Sequence, residues 1–217
     1  MTREIKNIIN IIVFLICIAL VNVAGQNIEL EIRGINAFTF VLIVAVLIQV
    51  IFFIPSYLLK TEKFYDLVGS LTYVTTISLA YFTVENKTSI DTIIYLYVMV
   101  WATRLGIYLF RRVQKDGKDV RFEKAKTHFF WFLQYWMGQA LWVSLTSCAA
   151  IIAILSPEEN SLPILAIVGM ALWLTGFTIE SISDYQKRVF RKENNPSQSF
   201  IHTGLWAGLD IQITLVR

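Results

Sequence analysis

The chain has 217 residues, of which 56% are hydrophobic and 16% charged, and its formal net charge is +3. Its mean hydropathy is +0.59. Soluble globular chains carry roughly 25% charged residues and at most about half apolar ones. This composition excludes a disordered chain, a secreted disulfide scaffold and a soluble enzyme, and it predicts an integral membrane protein. Cys17 and Cys148 both lie in apolar runs, which favours small buried side chains over a disulfide or a metal site.

Six apolar segments approach the length of about 20 residues that a helix needs to cross the hydrocarbon core. Each is predicted to be helical, because a backbone in lipid must satisfy its own polar groups. The predicted spans are Ile8–Ala24, Ala37–Leu59, Leu67–Val84, Thr92–Phe110, Phe129–Leu155 and Leu162–Ile182. No repeat or long linker interrupts them, so we predict one all-α domain, a polytopic integral membrane helix bundle over residues 1–217.

The positive charges orient this bundle. Alternate connecting segments and tails carry sixteen lysines and arginines on one side and two on the other, and the remaining one, Arg104, lies inside a span. Cytoplasmic loops are enriched in these residues, so both termini are predicted to be cytoplasmic. Arg3 and Lys6 before the first span also allow a cleaved signal peptide, although the length of the span argues for retention. The expected location is the cell membrane in a prokaryote, or the endoplasmic reticulum or another endomembrane in a eukaryote.

The cytoplasmic start of the fifth span is rich in aromatic residues and follows a basic loop. We interpret the aromatic side chains as a membrane anchor at the headgroup level; they are Phe129, Phe130, Trp131, Phe132, Tyr135 and Trp136. The loop Arg111–Lys126 carries seven bases. Contact with anionic lipid headgroups or a simple positive-inside signal is the simplest interpretation, and guidance of a polyanionic cofactor to the protein is the functional alternative.

Arg104 is the first candidate for chemistry, because a charge inside a span costs several kcal/mol unless it is paired, hydrated or able to reach the interface. Arg104, Tyr108 and Arg111 fall on one stripe of a helix and could offer two guanidinium groups to an anionic ligand. Arginines that only set the topology at a helix end are the simpler interpretation of the spacing alone.

A second stripe continues the sixth span into the cytoplasm. Its members are spaced at i, i+4, i+7 and i+11, and they are Glu180, Asp184, Lys187 and Arg191. A solvated ladder of ion pairs is one interpretation. It does not account for Glu180, which is predicted to lie at or below the interface, where an acid is a functional candidate. Acids followed by bases suit a nucleotide, with the acids for ribose and the bases for phosphates.

Several kinds of site find no support in the sequence. His128 and His202 are isolated and lack metal-ligand spacing, so no metal is assigned. No phosphate-binding glycine loop or nucleophile elbow is present. We therefore expect any nucleotide cofactor to be held between membrane helices and their loops. The expected partners are the lipid bilayer and a hydrophobic small-molecule substrate, not a nucleic acid.

Five short motifs in a fixed order resemble the steroid 5-alpha-reductase C-terminal-domain family, in particular its bacterial and algal branch of domain-of-unknown-function 1295 membrane proteins. They are Phe64–Leu67 (FYDL), Trp101–Leu105 (WATRL), Gly117–Phe122 (GKDVRF), Ser183–Arg191 (SDYQKRVFR) and Thr203–Trp206 (TGLW). The resemblance extends from about Phe64 to Trp206, and the order and spacing of the motifs are its specific part.

The resemblance implies a seven-helix membrane reductase in which NADPH, bound from the cytoplasmic side, reduces a conjugated carbon–carbon double bond in a lipid-soluble enone. By the same likeness the cofactor contacts would be Arg104, Glu180, Asp184, Lys187, Arg191 and Asn195. The tyrosine that polarises the enone in the steroid enzymes corresponds to Trp101 here, so a steroid is not the expected substrate. The resemblance assigns no catalytic residue.

The last residues depart from the family. After Gly-Leu-Trp the family continues with Ser-Arg-His-Pro-Asn-Tyr-Phe-Gly-Glu and a final transmembrane helix, whereas Leu209–Arg217 reads LDIQITLVR. Codons for the family motif, read one base later, translate as the eight residues Leu209–Val216 in order and then begin a codon with AG, which fits Arg217. We therefore expect residues 207–217 to be an out-of-frame tail. We also expect the 217-residue chain to insert with six spans, to bind NADPH weakly and not to turn over.

Two other functions stay open at the level of sequence. The isoprenylcysteine carboxyl methyltransferases, which use S-adenosylmethionine, have a related fold and a similar family tail, but the motifs at Gly117–Phe122 and Ser183–Arg191 fit the reductases better. A non-catalytic membrane protein is the third interpretation. The oligomeric state is not predicted.

Overall fold

The computed structural model describes residues 2–116, 119–156, 163–193, 201 and 203–207, with the side chains of residues 116, 120, 163 and 191–193 left out. Six long helices dominate these residues: α1 (Arg3–Val23), α2 (Ala37–Leu58), α3 (Tyr65–Thr83), α4 (Ser89–Asp116), α5 (Phe129–Leu155) and α6 (Pro163–Glu193). The all-α class is confirmed. The chain divides into two compact units, Met1–Glu158 and Glu159–Arg217, and each is described by itself. The single-domain interpretation stays a prediction.

Five of the six helices are long and apolar enough to cross a membrane: α1, α2, α4, α5 and α6. The helix that does not qualify is α3, on which the third span was predicted. It packs against α2, α4 and α5 and carries buried Thr72 and Thr76, whose hydroxyls donate to carbonyls within the helix. A helix that faces other helices does not need the hydropathy of a helix that faces lipid. The structure supports a multi-pass membrane protein with α3 inside the bundle.

The helix ends follow local sequence signals. The Asn36 side chain accepts a hydrogen bond from the Thr39 amide and caps α2. Thr88 and Asp91 form a reciprocal pair at the start of α4, in which each side chain accepts from the other's amide. Pro163 is the first residue of α6, where its missing amide hydrogen is not needed.

A small hairpin that the sequence interpretation did not include precedes α2. Its strands are β1 (Glu31–Ile32) and β2 (Ile35–Asn36), and they pair antiparallel with Glu31 opposite Asn36. The two turn residues Arg33 and Gly34 have φ values of 54° and 78°. Two consecutive positive φ values are typical of the type I′ turn, which matches the right-handed twist of paired strands.

Helix α5 is the centre of the first unit and packs against α1, α2 and α3. Around it, one apolar cluster includes Phe38, Ile77 and Ile154, each fully buried. A second cluster contains Phe132 and Trp136, both 0% exposed. The interpretation of these two residues as membrane anchors is therefore wrong. They point into the bundle because α5 is surrounded by helices, whereas Phe129 and Phe130, at the start of α5, are exposed.

Candidate functional site

The predicted stripe of acids and bases lies on one unbroken helix. Helix α6 runs from Pro163 to Glu193, so the expected continuation of the sixth span beyond residue 182 is confirmed. Glu180, Asp184 and Lys187 are each partly exposed on it. Arg191 lies in the last turn of the helix, but its side chain is outside the described part, and Asn195 lies outside the described residues.

The motif at Thr203–Trp206 folds back onto α6. The Leu205 amide donates to Gln186 Oε1 at 3.2 Å, and the ammonium of Lys187 lies 4.5 Å from the centroid of the Trp206 ring. Gly204 has φ 65°, and a Cβ there would overlap the Gln186 carboxamide. The positive φ favours glycine at this position, and the Gln186 side chain would have to move to admit a larger residue. Two of the motifs that carry the resemblance, Ser183–Arg191 and Thr203–Trp206, are thereby in contact.

This contact places two donors side by side. The Trp206 indole nitrogen is buried and has no hydrogen-bond partner among the described residues, and the Lys187 ammonium lies against the same ring. An indole N–H and an ammonium both donate to anions, and carboxylates accept from hydroxyls. Asp184 and Glu180 lie one and two turns earlier on α6, so this segment carries both donors and acceptors. Their use by a nucleotide cofactor stays a prediction. No group of three or more metal-ligating side chains occurs in the described part of the chain.

Arg104 belongs to the other unit. It lies in α4 and is partly buried, as is Tyr108, whereas Arg111 at the third position of the same stripe is exposed. Two residues after Arg104, α4 approaches α3 closely: a Cβ on Gly106 would overlap Ser70, whose hydroxyl donates to the Ala102 carbonyl at 2.5 Å. The structure therefore holds Arg104 on a tightly packed part of α4. Its role in binding a cofactor stays a prediction.

A cluster of ion pairs in the first unit joins the basic loop to residues at and before the start of α3. Glu62, which is 4% exposed, accepts from the Lys126 ammonium at 2.7 Å and from the Asp119 amide at 3.2 Å. Asp66 accepts from Arg112 at 3.2 Å and lies 3.8 Å from Arg121. Asp119 in turn pairs with Arg121 at 2.5 Å. We call these six residues the loop cluster.

Burial and charge act differently on the two aspartates of the loop cluster. Asp66 precedes the third predicted span, and its burial raises its pKa, against the opposing effect of Arg121 and Arg112. Burial also opposes ionisation of Asp119. Hydrogen bonds from the side chain and backbone of Arg121, together with the charges of Arg121 and Arg112, nevertheless lower the pKa of Asp119 below its usual value.

The loop cluster changes the interpretation of the basic loop. Arg112, Arg121 and Lys126, three of its seven bases, form ion pairs with acids of the same unit. A loop that only contacts lipid headgroups or guides a cofactor does not account for these three. The sequence interpretation missed their partners Glu62 and Asp66. The available signal was the pairing of the motifs Phe64–Leu67 and Gly117–Phe122, which the structure brings together with the Tyr65 and Phe122 rings 4.7 Å apart.

The helical bundle and its motifs define a class: an all-α, multi-pass membrane protein with a helix that extends beyond the span. The family model described as "Protein of unknown function (DUF1295)" matches residues 52–208. The chain belongs to this family, a steroid 5-alpha-reductase-like group. No curated protein and no solved structure matches the chain.

Proposed function

We propose that this chain derives from an NADPH-dependent membrane reductase that saturates the carbon–carbon double bond of a lipid-like enone. The observation that carries the proposal is the contact between the extension of α6 and the turn Gly204–Trp206, which places Lys187 and a buried indole N–H side by side. Membership in a steroid 5-alpha-reductase-like family supports the same chemistry.

In this proposal the second unit supplies contacts to the cofactor. The Lys187 ammonium and the Arg191 guanidinium would neutralise phosphate charge, because hydrogen bonds between ionised groups are stronger than neutral ones. Asp184 and Glu180 would accept from ribose hydroxyls. Asn195, which lies outside the described residues, is a further contact that the family resemblance implies. NADPH would supply a hydride to one carbon of the double bond, a proton would reach the other carbon, and a saturated ketone and NADP⁺ would result.

The substrate is proposed to be of the isoprenoid type, with a steroid less suitable. By the family resemblance Trp101 would correspond to the enone-polarising tyrosine. Its ring lies 5.0 Å from that of Tyr73 in an edge-on arrangement. An indole can donate a hydrogen bond to a ketone oxygen but does not act as a general acid. We therefore assign no catalytic residue.

We further propose that the tail, residues 207–217, is the product of a shifted reading frame. Residues 209–217, which lie outside the described part, match a translation of the family motif one base out of frame, and the family match ends at residue 208. Sequencing the DNA across the codon for Trp206 tests this directly. A gene without a latent Arg-His-Pro-Asn-Tyr frame after that codon rules the proposal out.

Binding measurements on the 217-residue chain and on the frame-restored protein test the function. We expect the restored protein to bind NADPH saturably, with quenched tryptophan fluorescence, and to oxidise it in the presence of an isoprenoid enone. The 217-residue chain should bind NADPH weakly and show no turnover. S-adenosylmethionine should leave the thermal stability of both proteins unchanged. Stabilisation by S-adenosylmethionine and not by NADPH would instead identify a methyltransferase.

Two variants and a control test the proposed cofactor contacts. In the restored protein, Asp184→Asn and Arg191→Ala should each weaken NADPH binding about tenfold or more, because hydrogen bonds to charged groups contribute roughly 1.5–3 kcal/mol. Arg188→Ala is the control, since Arg188 is exposed and its guanidinium lies over the Tyr185 ring. Unchanged binding in all three variants would contradict the proposed site and favour a non-catalytic protein.

A further inference from the structure

The first turns of α1 and α5 lie side by side in the first unit. The guanidinium carbon of Arg3 on α1 is 3.3 Å from the centroid of the Trp131 ring on α5. Farther along both helices, the Phe14 ring lies 3.3 Å from the position that a Cβ on Gly138 would take. Because the two contacts follow in the same order along both helices, α1 and α5 run in the same direction. Both therefore begin at the end that the distribution of lysine and arginine predicts to be cytoplasmic.

One face of α1 is apolar and exposed along its length, and it ends in two cations. The exposed apolar side chains follow Lys6 at i+3, i+7, i+10 and i+14, which places them on its face of the helix. They are Ile9, Val13, Ile16 and Leu20. Arg3, three residues before Lys6, belongs to the same face. Exposed apolar side chains of a membrane helix face acyl chains, and the lipid phosphates lie just beyond the hydrocarbon core. Arg3 and Lys6 are therefore at the level of the phosphates.

The charges of these two cations are not compensated by acids of the described residues. Arg3 and Lys6 are exposed and form no ion pair within the part of the chain that the structure describes. Three bases of the loop, by contrast, are paired in the loop cluster. The acid in the first turn of α1 is Glu4, one residue from Arg3 and two from Lys6. Residues at these spacings do not face each other on a helix. The start of α1 thus presents uncompensated positive charge.

The Trp131 ring holds the Arg3 guanidinium in a defined place. A guanidinium stacked on an indole gains a cation–π interaction and keeps its N–H groups, which lie in its own plane, available to an anion. The Trp131 ring in turn lies 5.8 Å from the ring of His128, the residue before α5. An arginine that is already ordered loses less entropy when it binds. The start of α5 also has no side-chain cap, so its first amides add partial positive charge beside Arg3.

We propose that the first turns of α1 and α5 form a binding site for an anionic phospholipid, whose phosphate contacts Arg3 and Lys6. An acyl chain of the lipid lies along the exposed apolar face of α1. A zwitterionic lipid fits less well, because its own ammonium offsets the charge of its phosphate. The site differs from the basic loop, whose paired bases serve the loop cluster. It lies within the first unit and does not rest on the proposed reductase function, because it is tested without NADPH.

The test compares two lipids that have the same acyl chains and different headgroup charges. The purified 217-residue chain in detergent is titrated with dioleoylphosphatidylglycerol and with dioleoylphosphatidylcholine, and bound lipid is measured by native mass spectrometry. We expect the anionic lipid to bind about twentyfold more tightly, because each of the two basic side chains contributes about fivefold. Equal binding of the two lipids would overturn the proposal. Excess inorganic phosphate should leave the lipid bound, since it lacks acyl chains. Displacement of the lipid by phosphate would show a site for a soluble anion and would also overturn the proposal.

Substitutions then assign the preference to the two cations. Arg3→Met and Lys6→Met should each lower the preference for the anionic lipid about fivefold. Lys63→Met is the matched control, because Lys63 is exposed, is predicted to lie on the same side of the membrane, and makes its described hydrogen bond through its backbone amide. An equal loss in all three variants would show attraction by total charge and not by a site. That result, or an unchanged preference in Arg3→Met and Lys6→Met, would overturn the proposal.

A substitution of the indole tests whether Trp131 positions Arg3. Trp131→Leu should lower the preference for the anionic lipid about threefold, because the cation–π interaction is lost. Trp142→Leu is its control, since Trp142 lies on the same helix and is exposed. Equal effects of the two substitutions would contradict the role of Trp131. If Trp131→Leu loses its unfolding transition, Arg3→Met and Lys6→Met decide whether the site exists.

Discussion

At the scale of single residues, the most informative pair is Glu62 with Lys126. The side chain of Glu62 is 3% exposed and that of Lys126 is 22% exposed. A buried carboxylate is tolerated because its oxygens are paired, and removal of one partner leaves the charge uncompensated. The Asp119 amide donates a hydrogen bond to the other carboxylate oxygen of Glu62. This one acid therefore contacts the loop at two positions, Asp119 and Lys126, just before the start of α3.

We therefore expect Lys126→Met to lower the free energy of unfolding by about 1–3 kcal/mol, less than a fully buried pair because Lys126 is partly exposed. Thermal unfolding in detergent measures this change. Lys124→Met is the matched control, since Lys124 is exposed and its described hydrogen bonds are accepted by its backbone carbonyl, which the substitution keeps. The double variant Glu62→Gln with Lys126→Met should recover part of the loss. Equal effects of the two single variants would contradict the role of the ion pair.

The lowered pKa of Asp119 predicts a dependence of stability on acid. A carboxyl whose pKa is lower in the folded protein stabilises it above the unfolded value of about 3.9, and this contribution is lost as the pH falls through the folded value. Below about pH 4, the midpoint temperature of unfolding of the wild type should therefore decrease more steeply with falling pH than that of Asp119→Asn. A midpoint measured at each pH for both proteins tests this expectation. Parallel curves would show that Asp119 does not contribute.

At the scale of helices, close approach depends on small residues at defined positions. Gly106 on α4 lies against Ser70 on α3, and the Ser70 hydroxyl bonds to the α4 backbone. Small residues let helix backbones approach within a membrane, where packing and hydrogen bonds drive association. Other helical glycines have no such contact within the described residues: none of these residues comes within 4 Å of the position that a Cβ would take at Gly169 or Gly176.

This difference predicts opposite effects of one substitution. Gly106→Ala should destabilise the protein by about 1–3 kcal/mol, because an added methyl group in a packed interface forces the helices apart. Gly169→Ala should be neutral or stabilise by up to about 1 kcal/mol through its helix propensity. The free energies of unfolding of the two variants are the measurement. Rescue of Gly106→Ala by Ser70→Gly would identify the contact, and loss of stability in Gly169→Ala would contradict the packing.

At the scale of the whole molecule, the distribution of charge predicts the topology. The loop before α3 carries Lys60 and Lys63 and the segment after it carries Lys87, so they should lie on the cytoplasmic and the outer side respectively. The single cysteine variants Lys63→Cys and Asn86→Cys, in a background with Cys17 and Cys148 replaced by serine, place a thiol at an exposed position at each end of α3.

An impermeant maleimide added to intact cells should label Asn86→Cys and spare Lys63→Cys until the membrane is opened. The physical reason is that α3, although less apolar than its neighbours, packs against α2 and α4, which are both long and apolar enough to span. Labelling of both positions from the same side would show that α3 does not span. The predicted orientation of the other helices would then also be wrong.

The helices themselves could be predicted from hydropathy, because each must satisfy its backbone internally. Their observed ends lie within three residues of the predicted ones, except at the start of α1 and at the ends of α4 and α6, where the helices are longer than the predicted spans. Membership in the family could be predicted from five short motifs, because their order and spacing are visible in the sequence without knowledge of the fold. The sequence also determined that α6 continues past the span, since its charged residues keep helical spacing.

Tertiary structure alone decided which polar residues meet. The ion pair of Glu62 and Lys126 joins residues 64 positions apart, and the carboxamides of Gln49 and Gln139 reach one face of a third helix. Local periodicity shows which face of a helix is polar, but it does not show which neighbour covers that face. For the same reason Phe132 and Trp136 resembled membrane anchors in the sequence and are core residues in the fold. Partner choice depends on the packing of several helices at once, and no single stretch of sequence carries that information.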